Sequence, residues 1–219
     1  MQNYKIMIEG LSKAFQGRKV LDGLDMELAS GNTYCLMGAS GIGKTTFLRI
    51  LLGLEEADEG SVLVQAGTCD GGSSPICSSP VYSSLPAAAP GNLRLVAVFQ
   101  EDRLCETFSA LENVMLAAGK SLKRADAYAQ MCRLLPEESI LRPVSTLSGG
   151  MKRRVSILRA LLAPSCGILM DEPFTGLDEK TRQVVIDYMK EQAAGKLLVV
   201  VTHQEEDAAA LGGRLITLR

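Results

Sequence analysis

"GASGIGKTTFLRIL", residues 38–51, is the stretch from which the rest of this chain is read. It contains G-x-x-x-x-G-K-T between an apolar run, "TYCLM" (33–37), and a segment whose apolar residues recur at helical spacing. Glycines let a backbone wrap round a phosphate, and the start of the following helix turns bare N–H groups towards it. In such a loop Gly38, Ala39, Ser40, Gly41, Ile42 and Gly43 form the cradle. Lys44 bridges the outer phosphates, and Thr45, followed by Thr46, offers a hydroxyl to Mg2+. A chance glycine-rich turn is the alternative, and the strand before and helix after weigh against it.

Working outward, a second helix start of the same kind lies far along the chain. In "LSGGMKRRVSILRALL" (147–162) Ser148 suits a helix cap, while Gly149 and Gly150 leave the backbone N–H groups bare. Read alone it is either a plain capped helix or an anion site for a nucleotide held by another molecule. The basic run Lys152-Arg153-Arg154 reads as a solvated helix face. "GILMDEP" (167–173) is an apolar strand ending in two carboxylates: Asp171 suits a Mg2+ shell, and Glu172 an attacking water. An acidic turn is the alternative. His203, the only histidine, closes the apolar run "LLVVVTH" (197–203). A lone histidine there is most often structural, but its place at a strand end on the nucleotide side favours a functional one. Gln100 follows "LVAVF" at a comparable strand end, with a solvated loop residue as the alternative.

The bulk numbers bound the rest. With 219 residues, 47% hydrophobic and 22% charged, the chain is globular, either one large domain or one with a subdomain. A net charge of -2 supplies no general attraction to nucleic acid or an anionic membrane, so no nucleic-acid partner is expected. Six scattered cysteines without a CxxC pair argue against zinc and for a reducing compartment. Cys35, Cys132 and Cys166 lie in apolar runs, where a thiol behaves as a small hydrophobe. No secretory h-region begins the sequence, and the most apolar stretch is interrupted by Arg159 and Pro164, short of the roughly 20 residues a spanning helix needs.

Along the chain, "YKIMIEGL" (4–11) alternates like an edge strand. "DMELASGNTYCLMG" (25–38) reads as two strands joined at Ser30-Gly31, and "SVLVQ" (61–65) as another. Residues 66–92, rich in Ser, Gly, Pro and Ala, read as a loop or mobile excursion. "LRLVAVFQ" (93–100) reads as a buried strand. From Glu101 to Thr146 the pattern is helical, with Thr107 or Ser109 as a cap. Strands alternating with helices imply a largely parallel sheet covered on both faces. The expected division is a core of 1–100 and 147–219 with a helical subdomain, 101–146, inserted in it.

The ordered set "GASGIGKTT", "VFQ", "LSGGM", "ILMDEP", "TGLD" and "VTH" resembles the ATPase subunit of an ABC (ATP-binding cassette) transporter across essentially the whole chain. That resemblance implies an α/β P-loop NTPase fold with a RecA-like, mainly parallel core sheet, an antiparallel N-terminal β-subdomain and an inserted α-helical subdomain. It implies ATP and Mg2+ as cofactors, and a second cassette facing the first head to tail. ATP then lies between one chain's Lys44 loop and the other's Ser148, Gly149 and Gly150, which answers the need for two anion sites. By the same resemblance Phe15 stacks on adenine, Gln100 touches Mg2+ and reports to the membrane partner, Asp178 crosses the dimer interface, and His203 contacts the γ-phosphate beside Glu172. The further partners implied are transmembrane permease subunits and an extracytoplasmic solute-binding protein, with the chain peripheral at the cytoplasmic face of a bacterial membrane.

Within the family, "VFQEDRL", "LSGGMKRRV" and "MDEPFTGLDEKTR" look most like nitrate/sulfonate/taurine-type importer ATPases. The alternatives are an export or lipoprotein-release ATPase and a non-transport member. The chain departs from the family pattern in four ways. Arg153 stands where glutamine is usual, Leu158 where alanine is usual, the helical subdomain is short, and the insertion after Gln65 is unusual.

Overall fold

The computed structural model describes residues 3–66 and 93–218; the Ser/Gly/Pro/Ala-rich stretch read above as an excursion falls almost wholly outside them. The described chain builds two sheets. The first is antiparallel, in the order β2 (Arg18–Ala29), β1 (Tyr4–Phe15), β4 (Glu59–Ala66). Alternation in β1 points Tyr4, Ile6 and Ile8 into the core and Lys5 and Glu9 outward. It is the central strand of this sheet and not an edge, because β2 and β4 pair with it on either side.

The second sheet is parallel throughout, in the order β5 (Leu95–Val98), β6 (Gly167–Asp171), β7 (Leu197–Val201), β3 (Thr33–Met37), β8 (Arg214–Thr217). The strands β6 and β7 are buried at every residue, as expected of strands covered on both faces. Successive side chains enter different cores. Leu169, Leu197, Val199 and Val201 pack with the antiparallel sheet and helix α1 (Lys44–Leu51). Ile168, Met170, Leu198 and Val200 pack with helices α4 (Gly149–Leu162) and α5 (Glu179–Gln192) and with α2 (Ala110–Ala118) beyond them. The strand β5 lies at the sheet edge, and only Val98 of it is fully buried, so it is less enclosed than its apolar sequence suggested.

Helix α2 resolves the choice of cap. Ser109 takes the position, accepting from the Glu112 N–H while the Glu112 carboxylate accepts from the Ser109 N–H. Helix α3 (Arg124–Met131) and the short α6 (Glu205–Leu211) complete the α-helices of the described residues. Of the three cysteines in apolar runs, Cys35 is buried and Cys166 half-buried, but Cys132 is exposed. No helix among the described residues is long and apolar enough to cross a membrane. Because all strands of the second sheet run the same way, β3, β5, β6 and β7 release their chains at one edge, at Met37, Val98, Asp171 and Val201. Open sheets of this kind place ligands at that edge.

Candidate active site

Residues 38–43 leave β3 and turn into α1. Gly43 lies at φ +102, and a Cβ there would stand 2.3 Å from the Val20 carbonyl oxygen. Only glycine lets the loop pass β2 this closely. Lys44 is buried at the start of α1, its ammonium donating to the Gly38 and Ala39 carbonyls at 2.8 and 2.9 Å. Ala39, Ser40 and Gly41 stay exposed at the tip. The side chain of Thr45 turns towards β6, and its hydroxyl donates to Asp171 Oδ2 at 2.5 Å.

Asp171 ends β6 almost fully buried, at 3% exposure. Burial pushes its carboxyl above the ordinary carboxylate range, and neighbouring Glu172 adds to the rise. The Thr45 hydroxyl opposes it, as do the Lys44 and Arg153 charges more weakly. A desolvated carboxylate beside a hydroxyl is an all-oxygen donor pair of the kind Mg2+ takes, usually together with phosphate oxygens and water. The residues present therefore fit that ion.

Glu172 follows with its backbone in the left-handed region at φ +49, a conformation that costs a non-glycine residue about 1–3 kcal/mol. Its N–H donates to the Val201 carbonyl at 3.0 Å, and its Oε1 lies 2.9 Å from His203 Nε2. His203 is held two residues beyond β7. The neighbouring Thr202 hydroxyl donates to Asp207 Oδ2 of α6, and Asp207 also accepts from Arg182 of α5 at 2.7 Å. A carboxylate and an imidazole in contact beside a bare loop of N–H groups can position and deprotonate a water attacking a bound phosphate.

The structure thus gathers Lys44, Thr45, Asp171, Glu172 and His203 through direct bonds or shared strand ends. Gln100 lies exposed in the loop after β5 at the same edge. Phe15, Ser148, Gly149, Gly150 and Asp178 stand apart from this group, with no hydrogen bond to it among the described residues. Phe15, 45% exposed at the end of β1, has the Lys13 ammonium 5.2 Å from its ring centroid. Ser148 caps α4, accepting from the Met151 N–H at 3.3 Å, and both it and Gly149 are exposed. Asp178 caps α5, accepting from the Thr181 N–H at 3.0 Å and its hydroxyl at 2.7 Å, and these bonds hold its carboxyl below the usual range.

One expectation is corrected. Arg153 is not on a solvated face: it is 3% exposed, with its guanidinium among the carbonyls of Phe99, Gln100, Asp171, Glu172 and Pro173. Charge type alone misread it, since backbone carbonyls leave no trace in a sequence. The departure from glutamine was the only signal at that position.

A protein-family model described as "ABC transporter" matches residues 21–175. The aliphatic sulfonates import ATP-binding protein SsuB 1 of Pseudomonas syringae pv. tomato is 34% identical over 217 residues, 97% of this chain and 70% of that protein. The Nod factor export ATP-binding protein I of Cupriavidus metallidurans is 31% identical over 97% of this chain and 67% of its own length. Among solved structures, the dimeric structure of MJ0796, described as a bacterial ABC transporter cassette, superposes with a TM-score of 0.77 at 27% identity, covering 97% of this chain and 94% of that one. A dimeric post-hydrolysis state of the same cassette, bound to ADP and Pi, gives 0.76 at 25% identity, covering 98% and 94%.

Proposed function

Since this chain belongs to the ABC transporter family, as an ATP-hydrolysing cassette, we propose that it energises solute import through a separate membrane permease, with sulfonate-like solutes as the class carried. The solute class rests on the sulfonate-import relative, 34% identical along nearly the whole chain. An export role is the second reading, favoured by the Nod factor export relative at 31%. Dimeric neighbours support pairing with a second cassette, and the import names support permease subunits and an extracytoplasmic solute-binding protein as partners. The place of action on this reading is the cytoplasmic face of the membrane.

The observation that carries the hydrolytic reading is the Glu172–His203 contact at 2.9 Å beside the Thr45–Asp171 bond at 2.5 Å. On this reading the residue 38–46 loop binds the ATP phosphates and Lys44 neutralises the outer ones. Glu172 takes the proton of the attacking water, held in orientation by His203. Thr45, Asp171 and Gln100 would hold Mg2+, which when bound neutralises phosphate charge. Phe15 stacks on the base, and Ser148, Gly149, Gly150 and Asp178 serve the partner's nucleotide. Residues 1–100 and 147–219 form the core of this reading, and 101–146 the inserted helical subdomain.

The direction and solute are tested in proteoliposomes holding the cassette with the permease encoded beside it. With solute-binding protein and labelled taurine or an alkanesulfonate on the far side, ATP should drive accumulation of label next to the cassette. ATP-dependent loss of preloaded label instead would favour the export reading.

A further inference from the structure

Helix α4 does more in this structure than present Ser148. Arg153 sits in its second turn, and all three guanidinium nitrogens are engaged. Nε donates to Pro173 O at 3.2 Å; one terminal nitrogen donates to Phe99 O at 2.6 Å, Gln100 O at 3.3 Å and Asp102 Oδ1 at 3.1 Å. The other donates to Asp171 O at 2.9 Å and Glu172 O at 2.6 Å. Two more residues of the same helix face hold the same loop. The Ser156 hydroxyl donates to Asp102 O at 3.3 Å, and Arg159 donates to Asp102 O at 3.0 Å and Arg103 O at 2.7 Å. Residues at this spacing share one helix face.

Glu172 is where this hold has chemical meaning. Its left-handed backbone, φ +49, needs restraint from outside. The Val201 carbonyl restrains it through its N–H and Arg153 through its carbonyl. If these restraints are lost and Glu172 relaxes from φ +49, its Cα–Cβ bond turns and carries the carboxylate away from His203. A planar fork with five donors can hold several carbonyls at once without reorganising, which a shorter amide cannot.

We propose that Arg153 is a positioning residue: it locks the Glu172 backbone and the Gln100 loop to helix α4, so that the helix starting at Ser148 sets where the Glu172 carboxylate stands. The proposal rests on Glu172 acting as the base. It makes one rigid element carry both the surface offered to the partner's nucleotide and the support of this chain's own base.

The test is a cycle in the whole chain: R153Q, R153K, E172Q and R153Q/E172Q, each measured for kcat, KM for MgATP and affinity for a fluorescent ATP analogue. R153Q should lose at least tenfold in kcat, with KM and analogue affinity within threefold of the parent, and R153K should recover threefold or more over R153Q. In the E172Q background R153Q should change residual turnover less than twofold, because both changes remove the same function. If R153Q does not fold, R153K carries the same cycle with a threefold loss expected. A parent-like kcat in R153Q, or its full loss repeated on top of E172Q, overturns the proposal. E172Q with undiminished turnover overturns the Glu172 reading and this proposal with it, whereas a normal R153Q beside an inactive E172Q overturns the proposal alone.

Discussion

Lys44 meets an arriving phosphate already desolvated, its ammonium held by the Gly38 and Ala39 carbonyls at 2.8 and 2.9 Å. Those bonds are already assisted by the ammonium's charge, and exchanging the neutral acceptors for anionic phosphate oxygens adds the attraction of a full opposite charge. Lys44→Ala should therefore lower MgATP turnover by about a hundredfold or more while leaving the fold intact. Steady-state hydrolysis beside circular dichroism reads this, and near-normal turnover would sink the phosphate-loop reading. At this scale the sequence was most legible where chemistry and backbone share one residue. Gly43 could be read from spacing because the space left by Val20 admits nothing larger. Arg153 could not be read so, because its partners are carbonyls that any residue carries.

Helix α2 is held at its start by a reciprocal pair. Ser109 accepts from the Glu112 N–H at 3.2 Å, and Glu112 Oε2 accepts from the Ser109 N–H and hydroxyl at 2.8 and 2.7 Å. Ser109→Ala should cost about 1 kcal/mol of unfolding free energy at neutral pH. The Ser109 bonds hold the Glu112 carboxyl below its ordinary value. A depressed folded value means the contribution is whole above the unfolded carboxylate range, near pH 4.3. It fades as pH falls through the folded value. Urea titrations of parent and variant should converge on acidification; a gap that widens instead would contradict the pairing. Apart from the short α6, which was not read, the existence and order of the elements followed from apolar periodicity, and the cap motif pinned α2 to within the choice of Thr107 or Ser109. Sheet position did not follow. The centrality of β1 and the edge place of β5 depend on which strands pair, and that is decided by segments distant in sequence.

For the molecule as a whole, the separation of Ser148, Gly149 and Asp178 from the Lys44 group is what a site shared between two chains requires. Glu172→Gln with MgATP should elute as a pair of chains on sizing chromatography. Adding Gly149→Asp should return it to a single chain that still binds ATP. A Cβ at Gly149 meets nothing within 4 Å, so this change leaves the isolated fold undisturbed and tests only what approaches from outside. Should the pair persist with Gly149→Asp, the trans reading fails. In the sheet β3 (33–37) lies between β7 and β8, whose residues, 197–201 and 214–217, come some 160 to 180 positions later. At about 5–20 residues per second, a ribosome takes on the order of 10–40 s to supply them. Through that interval a nascent chain carries the phosphate-binding loop without the neighbours that seat it. The loop should therefore gain its affinity for nucleotide only once β7 and β8 have been made and have taken their places on either side of β3.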